Sequence, residues 1–283
     1  MTTQDHIDSY LQDIAAKGRS PRTIRAYRSD LRPFVEWLGP DIGRIAHVDI
    51  GSFLKAVHSG QTLATRARRE AAVSSFLGWS KRHRIIDANP MEDEDRTRTP
   101  IGDPRPIPHR QLSMIMRAVD SEFNLRDRTI IWLLHDTGAR VSEVLRIRPE
   151  DVDLDRGFLS LTVKGGRSHT VPLVSEFRSI VLLSEMLMVS QDGSYIFHSR
   201  SSKRHLSYSY IETSWIKLVR NRLQMSYTIH QLRHSRATEL LDRGVSLASI
   251  TSLLGHRDPR TTMRYAKMSP SKVKEDISDA LRN

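Results

Sequence analysis

LLHDTGARVSEVLRI, from Leu133 to Ile147, decides the reading of this chain. Its first half continues the apolar run Ile130–Leu134, too short for a bilayer span and suited to a buried helix. Gly138 then permits a tight turn, and Arg140 stands just beyond it, where a new helix opens with Val141, Val144, Leu145 and Ile147 on one face. An arginine at such a turn can grip phosphate oxygens with two parallel N–H groups. It can equally pair with Glu143 one turn on, and Glu143 would then orient it.

Four more short motifs follow in order. VKGG surrounds Lys164, HQLRHS runs from His230 to Ser235, LGH ends at His256, and RYA centres on Tyr265. Leu159, Leu161 and Val163 alternate, as do His169, Val171 and Leu173 beyond Gly165-Gly166, which reads as a β-hairpin with Lys164 at or beside its tip. Taken alone, a tip lysine is a solvated turn residue. Thr228 is a candidate cap for a helix that holds His230 and Arg233 three apart, on one face, and closes at Gly244. Ser246 caps the next helix, with Ile250, Leu253 and Leu254 inside and Gly255 as its stop. His256 follows directly. Tyr265 lies among Arg257, Arg260, Arg264 and Lys267, a setting that suits exposure to phosphate better than burial. Two arginines, a lysine, two histidines and a tyrosine can together transfer a phosphodiester without a metal. A different reading takes His230 and His234, four apart, as a helical zinc pair. No glutamate lies between them, and Arg233 opposes a cation.

The bulk properties agree with a polyanionic partner. The net charge is +11 and the pI about 10.2, which points to nucleic acid, although a basic surface alone would give the same numbers. With no cysteine, disulfides and Cys-based zinc sites are excluded. The N-terminus, MTTQDHIDSY, has no apolar core of a signal peptide, so the expected location is cytoplasmic and nucleoid-associated, with no membrane.

Upstream the chain reads as helical. Ser20-Pro21 starts a helix carrying Ile24, Tyr27, Leu31, Phe34, Val35 and Leu38, and Gly39-Pro40 stops it. Ile50, Phe53, Leu54 and Val57 form a second apolar face. Between Thr62 and Trp79, Ala67, Ala71, Ala72, Phe76 and Trp79 face inward, and Arg66, Arg68, Arg69 and Arg82 outward. From Asn89 to Pro108 prolines and the charge run EDEDR replace large apolar residues, a linker composition. The expected domains are therefore 1–90, helical; 91–107, linker; and 108–283, mixed. Val273, Ile277 and Leu281 stripe a last short helix after Ser269-Pro270.

In these motifs the chain resembles the tyrosine recombinases, or phage integrases, and most nearly their compact Xer-type members. LLHDTGARVSEVLRI, the acidic PEDVDLD, VPL after the hairpin, HQLRHSRAT and LLGH are all close to the family pattern. One departure is Val163 in place of the usual glycine before the hairpin lysine. The resemblance implies a mainly α fold with a small β-sheet: a helical core-binding domain plus an α/β catalytic domain. It implies a catalytic set of Arg140, Lys164, His230, Arg233, His256 and Tyr265, with Glu143 behind Arg140. Tyr265 would form a 3′-phosphotyrosine link, Lys164 would protonate the leaving 5′-oxygen, His230 would handle the tyrosine proton, and His256 would donate to the phosphate. It implies no metal and no cofactor. The partner would be double-stranded DNA with paired recombination sites, held by a homotetramer that is a monomer or weak oligomer when free. Arg66, Arg68, Arg69 and Arg167 are the expected DNA contacts. The alternatives are a type IB topoisomerase-like nicking-closing enzyme and a catalytically idle DNA-binding regulator.

Overall fold

A computed structural model describes residues 1–43, 45, 47–92, 94, 97, 104–163, 166–189, 194–199, 204–255 and 263, with only the backbone at 47–49 and 58. Lys164, His256, Tyr265 and the stripe from Val273 to Leu281 lie outside the described residues. The chain divides into two compact units, Met1–Gly102 and Asp103–Asn283.

The first unit is helical: α1 (Thr3–Ala16), α2 (Pro21–Leu38), α3 (His47–His58) and α4 (Leu63–Arg82). The ends follow from local chemistry. Thr2 and Asp5 satisfy each other's backbone N–H groups at the start of α1. Ser20 accepts from Thr23 N at 3.2 Å, Pro21 takes the first position of α2, and Gly39 ends it at φ 79°. Thr62 caps α4. Tyr10, Phe34, Phe53 and Phe76 are fully buried together, with Phe34 edge-on to Phe53 at 5.2 Å.

The faces of α4 differ from the sequence reading. Ala71 is exposed, while Glu70 is buried. The reason is that α4 packs against α1, α2 and α3, so its buried surface is wider than one stripe and takes in polar positions. Those positions are paired: Glu70 accepts from the N–H and the hydroxyl of Thr97. Met91 is also in this core.

The second unit contains α5 (His109–Glu122), α6 (Leu125–Thr137), the single turn α7 (Val141–Val144), strands β1 (Val152–Asp153), β2 (Phe158–Thr162) and β3 (Ser168–Pro172), then α8 (Arg178–Val189), α9 (Tyr208–Ile216), α10 (Gln231–Asp242) and α11 (Leu247–Leu254). The strands form one antiparallel sheet in sequence order. Leu159 faces Val171 and Leu161 faces His169. The alternation seen in the sequence puts Leu159, Leu161 and Val171 in the core. Helix α6 packs against α5, α8 and α10, which explains its buried Ile130, Ile131, Leu133 and Leu134. Asp136, near its end, accepts the Ser179 N–H at 2.9 Å and so satisfies the start of α8.

Helix α7 is shorter than the apolar spacing suggests. It stops at Val144, though Leu145 and Ile147 are still buried. Pro149 forces Arg148 into extended backbone (φ −107°, ψ 160°), so the helix has no room to continue. The described chain is mainly helical with one small sheet. Among the described residues, no helix is long and apolar enough to cross a membrane.

Candidate active site

Arg140 is placed by the turn that ends α6. Thr137 donates its hydroxyl to Leu133 O at 2.5 Å and accepts from Ala139 N at 3.2 Å. Gly138 follows in the left-handed region at φ 63°. A Cβ there would stand 2.6 Å from Leu254 Cδ2, so both the backbone and the neighbour demand glycine. Gly138→Ala should therefore lose about 1–3 kcal/mol of stability, measured by thermal or urea unfolding. Unchanged stability would mean that the turn and α11 are not packed as described.

Beyond the turn, Glu143 grips Arg140 twice. One carboxylate oxygen accepts the Arg140 N–H at 2.9 Å, the other accepts Nη1 at 2.8 Å. Glu143 is buried, whereas the Arg140 side chain is 44% exposed. The Arg–Glu pair and the aimed arginine are thus one arrangement: a buried carboxylate holds one edge of a guanidinium whose remainder meets solvent.

Helix α10 supplies the second arginine. Arg233 is buried, donating Nη1 to Gly138 O at 2.7 Å and Nη2 to Leu254 O at 2.8 Å. It bolts the α6 turn to the end of α11, and both acceptors are helix-terminal carbonyls, whose partial negative charge suits a cation. Arg236, one turn on, donates Nε to Asp136 O at 2.9 Å and stacks 4.9 Å from the Phe177 ring.

His230 stands at the N-terminal cap of α10 rather than inside the helix. Thr228 does not cap with its hydroxyl, as the sequence suggests. Its N–H and hydroxyl both donate to Gln231 Oε1, and the helix begins only at Gln231, with His230 as its cap. The His230 ring meets His234 edge-to-face at 5.0 Å. Desolvation, then the charges of Arg233 and Arg140, lowers the His230 pKa below the ordinary imidazole value. This favours the neutral ring, the form that can take a proton. That both charges act on the ring places Arg233 and Arg140 near His230. Among the described residues no group of three His, Cys, Asp or Glu could hold a metal ion.

Of the other expected site residues, Arg167 follows the hairpin turn and Arg66, Arg68 and Arg69 lie in the first unit, while Lys164, His256 and Tyr265 lie outside the described residues. The hairpin closes with Gly166 N donating to Val163 O at 3.1 Å and Val163 N to Arg167 O at 2.9 Å, on either side of Lys164 and Gly165. Arg167 is exposed. In the first unit the arginines of α4 are engaged internally. Arg66 donates to Gln61 O, Arg69 to Val57 O, and Arg68 pairs with Asp30 at 2.8 Å. Asp30 is buried, and that burial raises its pKa despite Arg68.

Two residues of the HQLRHS motif carry roles that sequence reasoning missed. Gln231 donates Nε2 to Arg105 O at 3.0 Å, and Ser235 accepts the Ile107 N–H at 2.8 Å. They fix the chain entering α5 to α10. Their separation of more than a hundred residues from their partners leaves no local signal.

Comparison with known proteins finds relatives for both units. Residues 105–272 match the phage integrase family, and residues 7–84 match its N-terminal SAM-like domain. The chain is 31% identical to the tyrosine recombinase XerD of Staphylococcus saprophyticus over 95% of this chain and 96% of that protein. It is 29% identical to a tyrosine recombinase of Thermosipho africanus, covering 92% and 94%. The fold matches lambda integrase residues 75–356, solved as a dimer on a COC′ core site, with TM-score 0.75, 19% identity and coverage of 92% and 96%.

Proposed function

Since the chain belongs to the phage integrase family, we propose that it cleaves and rejoins DNA at specific sites with the residues gathered above. It is a site-specific tyrosine recombinase. The observation that supports the assignment of roles is that Arg140, Arg233 and His230 lie in one unit, Arg233 bonded to Gly138 two residues before Arg140 and both charges acting on the His230 ring.

The Tyr265 oxygen attacks a DNA phosphorus. A P–O bond to tyrosine forms and the bond to the 5′-oxygen breaks. Arg140 and Arg233 stabilise charge on the non-bridging oxygens, His230 takes the phenol proton, His256 donates to the phosphate, and Lys164 protonates the leaving 5′-oxygen. The 3′-phosphotyrosine keeps the bond energy, so a 5′-hydroxyl from a second duplex can reverse the step without ATP. Exchange between two duplexes breaks four strands, and one nucleophile per subunit then calls for four subunits on paired sites. The biological outcome is resolution or integration of a DNA element. Arg167 and the α4 arginines Arg66, Arg68 and Arg69 contact the backbone; for the last three, their internal partners make them placed rather than free-swinging cations.

A supercoiled plasmid carrying two copies of the site, and one carrying none, test this. Recombinant products should arise only from the first, and excess EDTA should leave them unchanged. Relaxation of the site-free plasmid would support a nicking-closing topoisomerase. Activity lost to EDTA and restored by zinc would make His230 and His234 ligands and sink the mechanism.

A further inference from the structure

The end of α11 holds two neighbours at once. His169 of β3 approaches Leu253 O with Nε2 at 3.1 Å, and Arg233 holds the next carbonyl, Leu254 O, at 2.8 Å. A carbonyl only accepts, so Nε2 carries the imidazole proton. Gly255, at φ 62°, lets the ring come this close: a Cβ there would lie 2.9 Å from Cδ2 and 3.0 Å from Nε2 of His169. On the inner face of β3, Val171 is in the core and opposite Leu159, whereas His169, opposite Leu161, is the last inward position before the turn. An apolar side chain there would pack but would fix no register against α11; a directional hydrogen bond fixes one.

The bonds run in series. The hairpin is tied by His169 to α11, α11 by Arg233 to Gly138 O, and Gly138 stands two residues before Arg140. Nothing else polar among the described hydrogen bonds joins β3 to α11.

We propose that His169 is a positioning residue: it holds the hairpin against the end of α11 and so sets where the Lys164 ammonium meets the leaving 5′-oxygen. This rests on the reading of Lys164 as the proton donor. The strand pairing between β2 and β3, continued by Val163 N donating to Arg167 O, carries the restraint at His169 as far as Val163, the residue before Lys164 in sequence.

The test uses the full-length protein and two suicide substrates, one normal and one with sulfur in place of the bridging 5′-oxygen. A thiolate leaves without a proton donor, because a thiol is far more acidic than an alcohol. His169→Ala should cleave normal DNA about 10-fold to 100-fold more slowly, bind it as well as wild type, and cleave the sulfur substrate at near the wild-type rate. His169→Gln, which can still donate to Leu253 O, should recover most of the loss on normal DNA. Arg140→Ala should stay slow on both substrates. Equal slowing of His169→Ala on both substrates, or no slowing, would overturn the assignment while rescue of Lys164→Ala by sulfur left the lysine reading intact. Failure of sulfur to rescue Lys164→Ala would instead overturn the lysine reading, and this assignment with it.

Discussion

Tyr265→Phe should abolish the covalent protein–DNA adduct on a nicked suicide substrate while leaving site binding and pairing intact. This is the largest effect the mechanism predicts, because the substitution removes one oxygen and with it the only atom that attacks phosphorus. The phenyl ring keeps the shape, and the cations near it in sequence, Arg257, Arg260, Arg264 and Lys267, keep their charge for the backbone. SDS-resistant bands on a denaturing gel measure the adduct, and gel shifts measure binding. An adduct of normal yield would place the nucleophile elsewhere.

Arg140→Ala and Arg233→Ala come next, each slowing cleavage by on the order of 10²-fold or more, as for loss of a transition-state donor. Site affinity should change far less, because many other cations share the backbone contact. The two should differ in stability. Loss of Arg140 leaves one oxygen of the buried Glu143 carboxylate without its partner, whereas loss of Arg233 strands the carbonyls of Gly138 and Leu254. An unpaired buried polar group costs about 1–3 kcal/mol, so both variants should melt below wild type, with Arg233→Ala, which strands two groups, the lower. Single-turnover cleavage, equilibrium binding and thermal unfolding on the same preparations separate these effects. If binding and cleavage fell in parallel, both arginines would be ordinary phosphate contacts.

What the sequence makes legible is local. Ser20-Pro21 and Gly39 bound α2, Gly138 and Gly255 end α6 and α11, and alternating apolar residues mark β2 and β3, each because neighbours within a few positions determine the backbone. Helix α1 sits in a polar stretch that the sequence reading leaves unassigned, although the Thr2–Asp5 cap and the spacing of Ile7, Tyr10, Leu11 and Ile14 are there to find. Ala71, expected inward, is exposed and Glu70, given no face by the sequence, is buried because three helices pack on α4, a tertiary fact with no trace in its own pattern.

At the site the same division holds. Arg140 with Glu143 three residues on is readable from spacing. The bolts are not. Arg233 reaches Gly138 across 95 residues and His169 reaches Leu253 across 84, and no periodicity encodes either. His230 at a helix cap, rather than one turn inside, is decided by Gln231 taking both Thr228 donors.

The central claim is that Tyr265 joins DNA through a 3′-phosphate. Trapping the wild-type protein on a nicked suicide substrate, digesting the adduct with protease and nuclease, and sequencing the modified peptide by mass spectrometry tests it most directly. The expected product is a nucleotide on Tyr265, linked through the 3′-phosphate, with a free 5′-hydroxyl on the released strand. A modification on another residue, a 5′-phosphate link, or cleavage with no covalent peptide would contradict it.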